Sequence, residues 1–438
     1  MRLQRGARGS ALILLLLAAP ASAQECLTAD PPPLTVPAQP LRFGITPGAA
    51  GTAGVAQADG APRDEPRLHQ ALRELRGRRE LVLRLNRLFW SDGDAGIARF
   101  GKLIRSYAGF RVEVQLRYHP PGGHEGDIAG WEAFVRAAVR RLGRLRAVVG
   151  FSITNEANFP VSPNTSDGAY AGVEDALVRG VIAAHAELRG LHRGGLPVGF
   201  NVAWRYTPES DAQFWQAVGA RATPAFRAAL DYVGVQVYPG LVWPPAPLPG
   251  RTAGRETVEA LTLLRTCYLP MAGLDRTALW VTENGYPTNL GRSEATQVAD
   301  LASTLHDVHA YSGQLGVTDY RYFNLRDNNS DGTDLFAAVG LLRDDHTAKP
   351  SFVVLHDAIA ADGGAPLTAR RRGRRVRGTV PPPCTGTVRV GERRVPVRAD
   401  CTYRARVSRR GSVRVRFRGE VRCARAAERE GHRRRACR

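Results

Sequence analysis

Gly150-Phe-Ser-Ile-Thr-Asn-Glu-Ala-Asn158 is the stretch from which the rest of the chain can be read. A mostly apolar or β-branched run meets an Asn-Glu pair, and there the pattern breaks. Such a run reads as a strand buried on both faces. A carboxylate where a strand of this kind stops lies at the rim of a sheet, where α/β enzymes keep their chemistry. Ala278-Leu-Trp-Val-Thr-Glu-Asn-Gly285 has the same form and ends in Glu283. Glu156 and Glu283 are far apart in sequence, so only the fold can bring them together.

Working outward, strand-like and helix-like runs alternate. The expected strands are Leu41–Thr46, Glu80–Asn86, Arg111–Tyr118, Ala147–Glu156, Val198–Trp204, Tyr232–Tyr238, Ala278–Asn284 and Asp319–Leu325. Val173, Leu177 and Val181 form one apolar stripe at helical spacing, and Val298, Leu301, Leu305 and Val308 form another. A last helix is expected over roughly Ser351–Ala361, after Pro350. Eight strands, each followed by a helix, predict an α/β chain folded as a (β/α)8 TIM barrel over 41–361. An open doubly wound sheet alternates in the same way. No G-x-G-x-x-G or P-loop near the first strand supports a nucleotide fold.

The ends of the chain have a different character. Met1 to Ser10 carries three Arg and no acid, Ala11 to Ala19 is a short apolar run, and Ala21-Ser22-Ala23 offers small residues for cleavage. This predicts a signal peptide over 1–23, too short for a membrane span, and a secreted mature protein. Residues 24–40 form a Pro-rich lead-in. After Ala361 the composition shifts to an Arg-rich linker, 362–380, and then to a small basic module, 381–438. Thr387-Val-Arg-Val and Ser412-Val-Arg-Val-Arg-Phe alternate apolar residues with Arg, as half-buried strands do.

Cys384, Cys401, Cys423 and Cys437 crowd this module and predict two bridges of open connectivity; Cys26 and Cys267 then pair by elimination. No C-x-x-C pair points to zinc. Of the net charge of +20, nearly all belongs to the tail: 24 Arg stand against five acids from Arg370 to Arg438. The basicity therefore says nothing about the main domain's substrate.

The two strand-end glutamates resemble the signature of clan A retaining glycoside hydrolases, the cellulase-like (β/α)8 enzymes, over roughly Leu41 to Ala361. Further residues match at the expected strands. Arg84, within Leu83-Arg-Leu-Asn-Arg-Leu-Phe-Trp90, resembles the Arg that contacts the nucleophile. His119 ends the third strand, where a His often meets substrate, and Tyr238 ends the sixth, where a Tyr touches the nucleophile. Gly340-Leu-Leu-Arg343 and Lys349-Pro-Ser-Phe352 resemble the segment that closes the family's barrel. Two positions depart from the pattern. Ala157 stands where Pro is usual, and Tyr320 to Asn328 has no Trp, leaving Phe323 or Asn324 at that place.

The resemblance implies double displacement, with Glu156 as acid/base and Glu283 as nucleophile. Glycoside cleavage needs a proton for the leaving oxygen and a partner for an oxocarbenium-like carbon. Two carboxylates do both when their surroundings split their pKa values. Asn155 is expected to bond the sugar's 2-hydroxyl. Arg84 and Tyr238 are expected to keep Glu283 ionised. Trp90, Trp204 and Trp243 fall near strand ends or the following loops, where aromatic rings can stack on sugar faces. Neither a metal nor an organic cofactor is expected.

The partners expected are a β-linked polysaccharide or oligosaccharide at the barrel and an anionic cell-wall or extracellular polymer at the Arg-rich module. Nucleic acid is disfavoured by the export signal and by the scarcity of interleaved aromatics in the tail. The rival class is a non-catalytic carbohydrate-binding protein on the same scaffold.

Overall fold

The computed structural model describes residues 26–48, 60–241, 249–362, 367–380, 386–398, 402–407, 412–417 and 420–424. The expected signal peptide, Trp243, Cys384, Cys401 and Cys437 lie outside these residues, as does the side chain of Cys423.

Eight parallel strands close into a barrel in chain order: β1 (Arg42–Ile45), β2 (Val82–Phe89), β3 (Arg111–Arg117), β4 (Val148–Ile153), β5 (Val198–Trp204), β6 (Tyr232–Val237), β7 (Ala278–Glu283) and β8 (Val317–Tyr322). β8 pairs back on β1, from Arg42 beside Asp319 to Ile45 beside Tyr322. The main helices outside the barrel are Glu65–Arg76, Gly93–Ser106, Ile128–Leu142, Val173–Gly190, Pro208–Arg221, Ala253–Leu263, Glu294–Leu315 and Pro350–Asp362, one after each strand.

Local chemistry sets many helix starts. The side chains of Asp64, Asp127, Thr207, Thr252 and Ser293 each accept the backbone N–H three residues on, which satisfies a donor the helix cannot pair internally. Gly316, at φ 68°, ends the helix before β8, a conformation that costs glycine little.

The strands segregate their side chains by alternation. In β3, Val112, Val114 and Leu116 belong to the apolar core, while Glu113, Gln115 and Arg117 are buried polar residues. The polar set faces the lumen, because Glu113 on β3 reaches Arg321 on β8 at 3.1 Å although the two strands are not neighbours. Arg84 and Arg321 are both fully buried. Glu113 lies 3.6 Å from Arg84, and Asp319 lies 2.6 Å from both Arg321 and Arg42. The lumen is thus lined in part by paired charges from β1, β2, β3 and β8. Outside the barrel, Cys26 is bonded to Cys267, fastening the lead-in to the segment after β6.

The expected Arg-rich linker is corrected by the structure. It contains β9 (Arg370–Arg372) and β10 (Arg375–Thr379), which pair with β13 (Thr402–Arg406) in the order β13-β10-β9. A second sheet orders β12 (Arg393–Pro396), β11 (Thr387–Val390), β14 (Val413–Phe417) and β15 (Glu420–Ala424). Leu367, Val376 and Val380 from the supposed linker share one small core with Val388, Val390, Tyr403, Val415 and Phe417. The Arg run hides a hairpin because its alternating side chains are exposed and Gly373, at φ 58°, makes the turn.

Candidate active site

The site lies where the chain leaves β4, β6 and β7. β4 ends at Ile153, and Thr154 and Glu156 then take left-handed backbone angles, φ 63° and 45°. For a β-branched threonine this is a strained conformation, and the surroundings hold it at every peptide. The Thr154 N–H donates to the Leu116 carbonyl at 2.8 Å. The Thr154 carbonyl accepts from Gln115 Nε2 at 2.9 Å. The Asn155 N–H donates to Asp167 at 2.8 Å and the Glu156 N–H to Asn201 Oδ1 at 2.9 Å. The two residues on either side of Asn155 therefore turn the chain so that Glu156 leaves the strand in a fixed direction.

Glu156 is half-buried, and the Ser166 hydroxyl donates to its Oε2 at 2.5 Å. Burial first, and the negative charge of Glu283 second, push its pKa from 4.5 up to about 7; the Ser166 bond and the charges of Arg117 and Arg84 oppose the rise without cancelling it. Glu283 is the last residue of β7. Arg84 pairs with its Oε1, and the Tyr238 hydroxyl donates to its Oε2 at 2.8 Å. Burial and then the Glu283 charge hold the Tyr238 phenol well above the usual tyrosine range. Tyr238 is therefore a donor at any working pH, and Arg84 is a permanent cation.

Glu156, Glu283, Arg84, Tyr238 and Asn155 come together as one connected site. The Asn155 carbonyl oxygen accepts from Gln115 at 2.9 Å and from Gln236 at 2.6 Å, and its amide donates to the Thr165 carbonyl at 2.6 Å. One N–H of that amide has no further partner among the described residues.

Among the described residues, none of the remaining expected residues hydrogen-bonds either carboxylate. His119 is half-buried on the rim, 3.0 Å from the Ser91 hydroxyl, with ring contacts to Phe89 and Tyr170. Trp90 keeps only 7 % of its surface. One ring face lies on Tyr118 and an edge meets Trp131, so it belongs to packing rather than to an open sugar platform. Trp204 is buried between Tyr268 and the Arg205 guanidinium. Its edge reaches a 440 Å³ cavity that also borders Leu27, Arg251 and Glu259. Phe323 packs edge-on to Tyr238, and Asn324 is fully buried.

Sequence reasoning missed Gln115, Asn201, Gln236, Ser166 and Asp167. For the first three a signal existed: each is a lone amide in an otherwise apolar or alternating strand. Among the described residues, no group of three or more His, Cys, Asp and Glu is placed to hold a metal ion.

Comparison with known proteins agrees with this architecture. No family model and no curated protein matches the chain. Solved structures do. A variant of the GH5_18 enzyme from Streptomyces cattleya, in complex with Manβ1-4GlcNAc, is 14 % identical with a TM-score of 0.50, over 76 % of this chain and 83 % of its own. A fungal β-1,4-galactanase is 16 % identical with a TM-score of 0.49, over 73 % of this chain and 99 % of its own. What the chain shares with them is the closed eight-stranded parallel barrel. At these identities the likeness concerns the fold alone.

Proposed function

We propose that this chain is an exported glycoside hydrolase that cleaves a β-linked polysaccharide or oligosaccharide with retention, using Glu156 as acid/base and Glu283 as nucleophile. The observation that carries the reading is the asymmetry between the two acids. Glu283 faces a permanent cation and a phenol donor, whereas Glu156 holds its proton up to about pH 7. One acid is thus suited to attack and the other to protonate, at the same pH.

In the first step Glu283 attacks the anomeric carbon, and the bond to the leaving oxygen breaks as Glu156 gives that oxygen its proton. The products are a glycosyl ester on Glu283 and the freed alcohol. Glu156, now ionised, takes a proton from water. The resulting hydroxide equivalent displaces Glu283 and restores both acids. Loss of the Glu283 charge on ester formation lowers the proton affinity of Glu156, which suits its second role as base. The free N–H of Asn155 is directed to the sugar 2-hydroxyl, a bond that strengthens as positive charge develops on the ring.

The test is a panel of chromogenic β-glycosides and polysaccharides assayed with the wild-type protein and Glu283→Gln, the product anomer being followed by NMR at early times. The expected result is turnover by wild type with the β-anomer formed first, and loss of turnover in the variant. Equal release by both proteins, or an initial α-anomer, would end the assignment. Sugar binding without turnover by wild type would favour the carbohydrate-binding alternative.

A further inference from the structure

One face of the three-stranded sheet carries charge in an unusual arrangement. Arg375 on β10 stands opposite Arg406 on β13 and Arg372 on β9, while Arg377 stands opposite Arg404 and Arg370. Directly opposed residues, and residues two apart on a strand, share a sheet face. The six arginines therefore form two rows of three, with neighbours ~4.8 Å apart across the strands and ~6.8 Å apart along them. All six are exposed. The next row on this face is Thr379 opposite Thr402, and the reverse face packs Val376, Tyr403 and Ala405 into the small core.

Like charges directly opposed destabilise a sheet, and no acid among the described residues relieves them here. None of the six makes an ion pair among the described residues. In the neighbouring sheet, Arg389 stands opposite both Arg394 and Arg416 but is bridged to Glu392 at 2.5 Å. The fold itself does not need the six charges, because the core of the module is made by the other face.

We propose that this face docks an unbranched polyanionic glycan carrying carboxylate or sulfate groups at regular intervals. Guanidinium forks match the paired oxygens of such groups, and a flat array suits a chain lying across the strands. Among the described residues the face offers no aromatic ring on which a base could stack and no apolar side chain to enter a bilayer. The choice of a glycan over other polyanions also rests on the hydrolase reading of the barrel.

The experiment uses the full chain and measures affinity at about 50 mM salt, where surface charge is weakly screened. The probes are polygalacturonate, dextran sulfate, neutral dextran, duplex DNA and phosphatidylserine vesicles. The first variant combines Arg372→Gln, Arg375→Gln and Arg406→Gln. A control of equal charge combines Arg73→Gln, Arg78→Gln and Arg105→Gln, all exposed on the barrel.

Wild type is expected to bind polygalacturonate, dextran sulfate or both, and to ignore neutral dextran. The row variant is expected to lose about ten-fold in affinity, the sum of three weak exposed pairs, while the control stays near wild type. Melting curves check folding, and Arg370→Gln with Arg377→Gln and Arg404→Gln serves as a second row should the first be needed to fold. Equal losses in row variant and control would overturn the proposal, as would tighter binding to DNA or vesicles than to either charged glycan. Turnover of small aryl glycosides, measured on the same proteins, reads the barrel separately. Lost polymer binding with intact turnover in wild type therefore sinks the docking face alone, and intact binding without turnover sinks the hydrolase reading alone.

Discussion

Glu156 shows how finely a single side chain depends on its neighbours. The Ser166 hydroxyl favours its ionised form, so Ser166→Ala is expected to raise its pKa above about 7. A general acid with a higher pKa keeps its proton to higher pH. The alkaline limb of the kcat/KM profile should therefore move upward in Ser166→Ala, a shift that simple loss of packing would not produce. Tyr238→Phe removes a donor from Glu283 without changing the net charge. Its expected effect is a fall in kcat on the order of ten- to a hundred-fold, with a smaller change in KM, read by steady-state kinetics.

At the scale of elements, the turn after β4 depends on β5. Asn201 receives the Glu156 N–H, and Gln236 on β6 donates to the same oxygen at 3.0 Å. Asn201→Ala should let the left-handed turn relax, moving the acid off its line of attack and lowering kcat by about a hundred-fold, with circular dichroism unchanged.

Much of this scale was legible in the sequence. All eight barrel strands were, because each is either an apolar run or an alternation of apolar with polar residues and stops at a change of character. The structure places Glu156, Glu283 and Tyr238 at or just beyond strand ends and Arg84 within β2, positions that the strand pattern of the sequence implies. Ser166 was not legible, since only the fold-back of 162–168 onto Asn155 and Glu156 brings it near. Trp90 misled because a strand-end aromatic can turn sideways into packing, as it does against Tyr118. The hairpin of β9 and β10 looks like linker in the sequence because Arg density masks a period of two around Val376.

For the whole molecule, buried carboxylates tie stability to pH. Asp211 rises from 3.8 to about 7 and Asp300 from 3.8 to about 6, burial being the first cause in both, with Asn158 opposing it at Asp211 and Glu256 adding to it at Asp300. Glu156 acts in the same sense. Below the unfolded values both states hold these protons, and the stability they contribute is fully present. As pH rises toward 7 the unfolded chain has already released them, so stability falls. The melting temperature should decline between about pH 4 and 7, and Asp211→Asn should flatten that decline.

The charged lumen is the other global feature. Glu113→Gln leaves Arg84 and Arg321 short of a counter-charge in a fully buried site. A loss of about 3–5 kcal/mol is expected, read from the urea midpoint.

Glu113 has a consequence for how the barrel is assembled. The cation that bonds it at 3.1 Å arrives with the eighth strand, long after β3 has been made. A nascent chain stopped at Gly316 would hold seven staves with both lateral margins bare, and an acid inside deprived of Arg321. The last stave carries its guanidinium with it, so a chain lacking β8 lacks both the closing seam and the partner of that acid.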